Sequence, residues 1–315
     1  MADVIKCATR DSYGKALSKL GDERDDILVL DADLAAATKT GMFKKVHPDK
    51  FIDCGIAEGN MMGIAAGLAT TGYTVFASSF AMFSAGRAFE QVRNSIAYPA
   101  LNVKIGATHA GISVGEDGAS HQCCEDIALM RVIPNMVIIN PADDIEAQQA
   151  VYAAVEHEGP VYMRFGRLAV PAVNGDDYKF ELGKGVTLRE GNDVTVVATG
   201  LMVNEALIAA DTLKEEGINV RVINIHTIKP IDKDILVKAA KETGVIVTAE
   251  EHSIIGGLGS AVSEVLAETC PVPVLRLGVN DTFGKSGPAV ELLKIFGLDA
   301  KNIIVKVKEA LELKK

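Results

Sequence analysis

The 315-residue chain carries 42 acidic and 32 basic residues, which gives a net charge of −10. Nucleic acids and anionic membranes attract clusters of Lys and Arg, so this charge balance argues against both as partners. Hydrophobic residues make up 48% of the chain, and its length and apolar content are enough for two domain cores.

The first residues, Met-Ala-Asp-Val-Ile-Lys, contain no basic segment followed by an apolar stretch, so we expect no secretory signal. Five cysteines without Cys-x-x-Cys spacing predict neither a disulfide framework nor a zinc site, and they fit a reducing, cytoplasmic location. The uncharged run 59–86 is long enough to cross a bilayer, but Thr70–Tyr73 and Ser78–Ser79 break it. We therefore expect it to lie inside a globular core.

Taken in chain order, apolar strands alternate with helices in the first half. We predict strands over residues 27–30, 74–77, 103–107, 136–139 and 160–164, with a short one at Phe51. We predict helices over residues 9–21, 80–96 and 145–157, and one that begins at Glu58. This alternation predicts a parallel sheet covered by helices on both faces.

The alternation stops at residues 169–182, where Pro, Asn, Gly and Asp indicate a linker. A second alternation follows, with strands predicted over residues 194–198, 220–223, 245–248 and 272–277 and a closing helix over 304–313. We therefore predict an α/β fold of two parallel-sheet domains. The first spans residues 1–168, the linker 169–185, and the smaller second domain 186–315.

Glu58 is the first candidate functional residue, because from Gly59 through Gly86 the chain carries no charged residue. We expect its helix to be buried on all sides, with Gly59, Gly63 and Gly67 allowing close backbone approach. Burial raises a carboxyl pKa by up to ~3–5 units, whereas a helix N-terminus favours the anion by only about 0.3–1 kcal/mol. We predict a carboxyl that exchanges a proton near neutral pH; the alternative is a capping carboxylate bonded to its own helix amides.

The loop Thr108–Gln122 follows the carboxyl end of a predicted strand, where open α/β sheets bind their ligands. It combines His109, Glu116, Asp117 and His121 with three glycines. The two histidines could donate to oxygen atoms or shuttle protons, or either could be an ordinary surface histidine. A zinc site made of both histidines and Asp117 stays open, although the spacing matches no standard pattern.

Two further features stand at the ends of predicted elements. Phe80 and Phe83 are three residues apart at a predicted helix start, so their rings share a face. Such pairs are usually part of a core, but close to Glu58 they would stack on a flat heterocycle. Arg164 ends a strand, with Arg167 nearby, and could bind an anion at the same sheet edge.

Gly55-Ile-Ala-Glu58, the aromatic pair and the loop His109–His121 with its Gly115-Glu-Asp-Gly118 resemble, in that order, the transketolase family of thiamine-diphosphate enzymes. The resemblance covers nearly the whole chain. It is to the half of the enzyme that carries the pyrimidine-binding and C-terminal domains, as found when the enzyme is encoded as two polypeptides. It implies transfer of a two-carbon ketol unit from a ketose phosphate to an aldose phosphate.

The resemblance also assigns cofactor contacts. Glu58 would hydrogen-bond a pyrimidine nitrogen of thiamine diphosphate and so promote its reactive form, while Phe80 and Phe83 would pack on the pyrimidine. His109 and His121 would contact oxygen atoms of the substrate as catalytic residues.

Further substrate contacts follow from the same resemblance. Asp117 would bond a sugar hydroxyl, and Arg164 would face the acceptor phosphate. Where full-length enzymes carry a phosphate-binding arginine this chain has Gly41, with Lys39 as the nearby cation. Lysine is a point charge rather than a bidentate fork, so we expect phosphate contact to be weaker or different.

One motif of the family is absent. Thiamine-diphosphate enzymes hold the diphosphate and its magnesium ion through a Gly-Asp-Gly followed later by Asn, and no Gly-Asp-Gly occurs in this chain. The resemblance therefore implies an N-terminal partner subunit that supplies the diphosphate-binding domain and holds Mg²⁺ or another divalent ion. Active sites would lie at the interface, with two copies of each chain in an α2β2 assembly.

Two rival functions stay open. The chain could be a subunit of another thiamine-diphosphate enzyme, either like deoxyxylulose-phosphate synthase or like the β subunit of a 2-oxoacid dehydrogenase. The His109–His121 loop argues against the dehydrogenase subunit. The chain could instead be a non-catalytic partner that only binds and regulates, but the presence of Glu58 and both histidines argues against this.

Overall fold

The computed structural model describes residues 6–314, which form three β-sheets with helices packed against them. The strands are β1 (Lys6–Ala8), β2 (Ile27–Asp31), β3 (Phe51–Asp53), β4 (Thr74–Phe80), β5 (Val103–Thr108), β6 (Val137–Ile139), β7 (Val161–Arg164), β8 (Ala169–Pro171), β9 (Val186–Arg189), β10 (Val194–Ala198), β11 (Val220–Asn224), β12 (Thr227–Lys229), β13 (Ile246–Ser253) and β14 (Val274–Val279).

The α-helices are α1 (Thr9–Glu23), α2 (Ala35–Thr38), α3 (Gly41–Val46), α4 (Glu58–Ala69), α5 (Phe89–Gln91), α6 (Asp126–Arg131), α7 (Asp144–Glu156), α8 (Met202–Glu215), α9 (Lys233–Thr243), α10 (Leu258–Thr269), α11 (Ala289–Ile295) and α12 (Ala300–Leu313). Two π-helical stretches, Met82–Arg87 and Val92–Ala97, flank α5. Among residues 6–314, no helix is both long and apolar enough to span a membrane.

The larger sheet has seven strands in the order β12-β6-β7-β5-β4-β2-β3, all parallel to their neighbours except β12. Consecutive strand residues point to opposite faces, so Phe76 joins the core under α1 and α7 while Val75 joins the core under α4. Both faces are covered, which is why the central strands are buried along their whole length and mostly apolar.

The second sheet has five strands in the order β14-β13-β10-β11-β9, and only β9 is antiparallel. Helices α8 and α12 supply the core on one face, and α9 and α10 on the other. The third sheet joins β1 to β8, so the first residues of the predicted linker form a short strand. The prediction of two mainly parallel α/β domains is confirmed; the two antiparallel edge strands were not predicted.

Two local predictions were wrong. Strand β4 continues through Phe80, because Ser78, Ser79 and Phe80 pair with β5 up to Thr108, so Phe80 is a strand residue and not the first residue of a helix. Helix α4 is buried on one face only. Its other face, with Asn60, Gly63 and Gly67, is exposed in the described chain.

Candidate active site

Adjacent strand ends bring the first two candidate residues together. Phe80 ends β4 and Thr108 ends β5, and these two residues are paired in the sheet. His109 follows directly, and its ring stacks on Phe80 with 3.9 Å between ring centroids. The carboxyl end of the parallel sheet thus carries an aromatic ring and an imidazole in contact, at the edge where such sheets bind ligands.

The side chain of His109 is buried and fully hydrogen-bonded. Arg10 donates from Nη1 to His109 Nε2 at 2.8 Å, and because arginine can only donate, Nε2 is the accepting nitrogen. The proton then lies on Nδ1, which is 2.9 Å from the hydroxyl of Thr108. Burial, with the nearby charges of Arg10, Arg167 and Lys39, lowers the pKa of His109 to about 3. His109 is therefore neutral at physiological pH, so it can form hydrogen bonds but is not available as an imidazolium acid.

His121 and Phe83 extend this cluster. The rings of Phe80 and Phe83 are nearly parallel, with centroids 5.8 Å apart, although the two residues belong to different elements. His121 meets Phe83 edge-on at 5.3 Å between centroids. Its Nδ1 lies 2.9 Å from the hydroxyl of Ser120. The two histidines and two phenylalanines thus form one aromatic wall.

Glu58 reaches this wall through an arginine. Its side chain is only 5% exposed, and its Oε1 accepts a hydrogen bond from Arg87 Nη1 at 3.1 Å. The same guanidinium lies over the ring of Phe83, 4.1 Å from the centroid, and the Arg87 side chain is 56% exposed. Within residues 6–314, the bond given to the Glu58 carboxylate comes from Arg87, so the capping alternative is not what the structure shows.

Three cations surround His109. The backbone amide of Arg10 donates to the carbonyl of Gly166 at 3.4 Å. This bond holds the first turn of α1 next to Gly166 and Arg167. Arg167 bonds Glu116 at 2.8 Å and also the carbonyl of Val114. Lys39 pairs with Asp11 at 3.2 Å. In a chain of net charge −10, this concentration of positive charge favours an anionic ligand.

Asp117 does not form a metal site with the two histidines in the described chain. It is exposed at the tip of the loop, beside Glu116. The described residues contain no group of three or more His, Cys, Asp or Glu side chains able to hold a metal ion, so they provide no zinc site of His109, Asp117 and His121.

The prediction for Arg164 was wrong. Its side chain is 4% exposed and forms an ion pair with the fully buried Asp126, at 2.8 Å from Nε to Oδ2. Its Nη2 donates to the carbonyls of Glu251 at 2.9 Å and Cys123 at 3.3 Å. With these partners the guanidinium holds the two domains together and does not face an open anion site. Arg167, three residues later, is the more exposed arginine of this segment, with 38% of its side chain exposed, and it bonds Glu116 in the histidine loop.

Comparison with known proteins follows the same division of the chain. The model of the transketolase pyrimidine-binding domain matches residues 5–172, and that of the transketolase C-terminal domain matches residues 183–303. A putative transketolase C-terminal section from Methanocaldococcus jannaschii is 52% identical over 97% of this chain and 96% of its own length. The chain belongs to the transketolase family.

Two further matches are of nearly the same length as this chain. A subunit of a 6-deoxy-6-sulfo-D-fructose transketolase from a Clostridium species is 44% identical, over 97% of this chain and 95% of the relative. A solved structure described as a split-gene transketolase, an inactive β4 tetramer, is 56% identical with a TM-score of 0.92, covering 98% of this chain and 99% of that one. In contrast, the chain spans about half of full-length transketolases, 49% of the human enzyme. It corresponds to the C-terminal section of a split transketolase.

Sequence reasoning missed two residues of this candidate site, Arg10 and Arg87. Arg10 lies 99 residues before His109 in the chain, and no sequence pattern in the first turn of α1 indicates that Arg10 hydrogen-bonds a histidine. Arg87 carried a signal that could have found it. It is the first charged residue after the uncharged run that Glu58 opens, and a buried carboxylate needs a partner.

Proposed function

We propose that this chain is the C-terminal subunit of a thiamine-diphosphate-dependent transketolase that transfers a two-carbon ketol unit from a ketose phosphate to an aldose phosphate. The observation that carries the proposal is the Arg87 guanidinium, which lies over the Phe83 ring, 4.1 Å from its centroid, while it donates to the buried Glu58. Phe83 and Glu58 therefore form a binding site for a planar group that carries N–H donors.

The aminopyrimidine of thiamine diphosphate is such a group. Arg87 is more than half exposed, so it can move into solvent and release both Glu58 and Phe83. Glu58 would then hold a pyrimidine nitrogen, and Phe80 and Phe83 would pack on the ring. When bound, the cofactor supplies the carbon nucleophile that carries the two-carbon unit. His121, on the same aromatic wall, would hold a substrate oxygen atom. His109 would hold another once Arg10 leaves its Nε2 and the ring proton moves to that nitrogen, with Thr108 then donating to Nδ1.

The diphosphate and its divalent metal ion are assigned to an N-terminal partner subunit in an α2β2 assembly. The chain has no Gly-Asp-Gly, and it spans half of a full-length enzyme. Beside Glu58, Ile56 is 77% exposed. A Cβ added at Gly63 or Gly67 would meet no described atom within 4 Å, and α4 thus has an uncharged, exposed face of small residues on which the partner subunit would pack. The expected cytoplasmic location belongs to this proposal and is supported by five free cysteines.

Reconstitution tests the proposed function. We expect transfer between a ketose phosphate and an aldose phosphate only when this chain and the N-terminal subunit are mixed, because each holds part of the cofactor site. Isothermal titration should show no thiamine-diphosphate binding by the chain alone at micromolar concentration. Micromolar affinity without the partner would contradict the shared site. Turnover with pyruvate but not with ketose phosphates would favour a synthase or dehydrogenase subunit, and none with either would favour a regulatory partner.

The anionic end of the sugar is assigned to Arg10 and Arg167, with Lys39 nearby and Asp117 on a sugar hydroxyl. Charge-assisted hydrogen bonds of this kind contribute about 1.5–3 kcal/mol. We expect Arg167→Gln to lower kcat/KM for phosphorylated sugars about 10–100-fold, while unphosphorylated sugars react as poorly as they do with the native enzyme. A sulfonated sugar would test whether this chain, like its Clostridium relative by name, accepts that anion.

Arg24→Gln is the matched control for this prediction. Arg24 follows the C-terminus of α1, about 20 Å along the helix from Arg10, and pairs with Asp26 on the surface. Its substitution should leave kcat/KM unchanged for both phosphorylated and unphosphorylated sugars. Equal losses for phosphorylated and unphosphorylated sugars in Arg167→Gln would mean that Arg167 only shapes the loop.

A further inference from the structure

Strand β13 of the second domain carries two adjacent buried carboxylates, Glu250 and Glu251, in its second half. Neighbouring side chains on a strand point to opposite faces. Glu250 turns toward its own domain, where it accepts hydrogen bonds from the amides of Leu258 and Gly259 at the start of α10, at 2.6 and 2.8 Å. Glu251 points the other way, toward the first domain.

There Glu251 contacts the backbone of the loop that carries both histidines. Its Oε1 accepts a hydrogen bond from the amide of Ser113 at 2.5 Å, across 138 residues of sequence. Gly111 makes this approach possible, since a Cβ at that position would lie 2.4 Å from Glu251 Cδ. Ser113 follows His109 closely, so the contact fixes the loop beside that histidine.

The backbone of this loop has a conformation that needs external support. Gly111, Gly115 and Gly118 have φ values of 81°, 88° and 74°, and His109 itself has φ of 54°. A residue with a side chain adopts that left-handed conformation only where its surroundings impose it. Within the first domain, Arg10 and Arg167 hold parts of the loop. The second domain adds further contacts.

A second contact joins the far end of the loop to the same domain. The side-chain amide of Gln122 donates to the carbonyl of Lys285 at 3.0 Å, and to two carbonyls within the loop. A Cβ on Gly118 would lie 2.4 Å from the hydroxyl oxygen of Ser286. The loop is therefore supported by the second domain at both ends, and Glu251 is the charged member of that support.

Burying a carboxyl group away from any ligand is unfavourable unless the group makes a specific bond. Burial raises the pKa of Glu251 to about 7, against the opposing effects of the Arg164 charge and the Ser113 bond. In either protonation state one carboxyl oxygen remains to accept the Ser113 amide hydrogen. The contact with the loop therefore persists on both sides of neutral pH.

We propose that Glu251 is a positioning residue through which the C-terminal domain sets the backbone of the 109–121 loop, and with it the placement of His109 and His121. The catalytic consequence rests on the proposed function, whereas the fixing of the loop does not. The C-terminal domain thereby acts on the candidate active site, beyond any contacts it makes in assembly.

Hydrogen exchange of the isolated chain tests the fixing of the loop. Glu251→Leu removes the acceptor, and Glu250→Leu removes an equally buried carboxylate from the neighbouring position. We expect peptides covering residues 109–121 to exchange about tenfold faster in Glu251→Leu, and at the native rate in Glu250→Leu. Glu251→Gln keeps an accepting oxygen and should keep the protection. Native exchange in Glu251→Leu, or equal acceleration in Glu250→Leu, would overturn the assignment.

Glu251→Asp keeps the charge but withdraws the carboxylate by one methylene, so it covers the case in which the leucine variant does not fold. It should also accelerate exchange in the loop. In the two-subunit enzyme we expect it to lower kcat/KM for the ketose donor about tenfold with unchanged affinity for thiamine diphosphate, since Glu58 and Phe83 lie outside the loop. Parallel loss of cofactor affinity would refute a positioning role. If the native pair shows no transfer, the proposed function fails, while hydrogen exchange still decides the role of Glu251.

Discussion

Glu58→Ala is expected to reduce kcat of the reconstituted two-subunit enzyme at least a hundredfold, which corresponds to about 3 kcal/mol of transition-state stabilisation. The reason is the position of this carboxylate. It is buried at the start of α4 and joined to the Phe83 ring through Arg87, where a pyrimidine nitrogen would meet it. Water cannot easily replace a carboxylate in a buried site, so the loss is expected in turnover and not only in binding.

The structure also predicts that this variant folds. Glu58 has Arg87 as its partner, and Arg87 is exposed enough to be solvated when the carboxylate is removed. The thermal midpoint of the isolated chain should therefore stay close to the native value. Glu156→Ala, which removes an exposed carboxylate at the end of α7, is the control and should leave turnover unchanged. Native turnover in Glu58→Ala would support the non-catalytic alternative.

The largest effect on stability is expected from the buried ion pair of Arg164 and Asp126. Arg164→Met leaves the Asp126 carboxylate in the core, where its remaining partner is the hydroxyl of Tyr162 at 2.9 Å. Removing one partner of a buried pair costs about 3–5 kcal/mol. We expect urea unfolding of the isolated chain, at fixed protein concentration, to show a loss of free energy of unfolding of that size.

Two further variants test whether that loss of stability comes from an unpaired buried charge. Arg164→Met combined with Asp126→Leu removes both charges and should recover much of the lost stability, because an apolar pair of similar volume needs no partner. Arg189→Met breaks a pair with the exposed Asp211 and should cost at most about 1 kcal/mol. A loss below about 1 kcal/mol in Arg164→Met would show that the pair is hydrated in solution.

The sequence was sufficient for features that depend on neighbours in the chain. Strand and helix alternation predicted both domains, and the helix start at Glu58 followed from its position before small, apolar residues. The end of β4 was misplaced because pairing with β5, and not local sequence, extends that strand to Phe80. Helix α4 was expected to be buried all round because its composition does not distinguish burial within the chain from burial against another chain.

Charged residues were the least predictable part of the site. Arg87 reaches Glu58 from 29 residues away, and Arg10 reaches His109 from 99. No local pattern encodes such pairs, since any arginine in the chain could in principle supply the guanidinium. Arg164 and Arg167 share one segment, yet Arg164 is buried against Asp126 whereas Arg167 is partly exposed and bonds Glu116 of the histidine loop. Only the tertiary fold distinguishes them.

The edge strand β12 restricts where a transketolase of this fold can be divided between two genes. Thr227–Lys229 lies beyond the linker in sequence but completes the sheet of the first domain, by pairing with β6. A break between residues 171 and 186 would detach the strand that covers this edge and leave unpaired backbone groups along Val137–Ile139. The two domains therefore share one sheet, and a gene fission that keeps this sheet whole has to fall ahead of the pyrimidine-binding domain and not between the two.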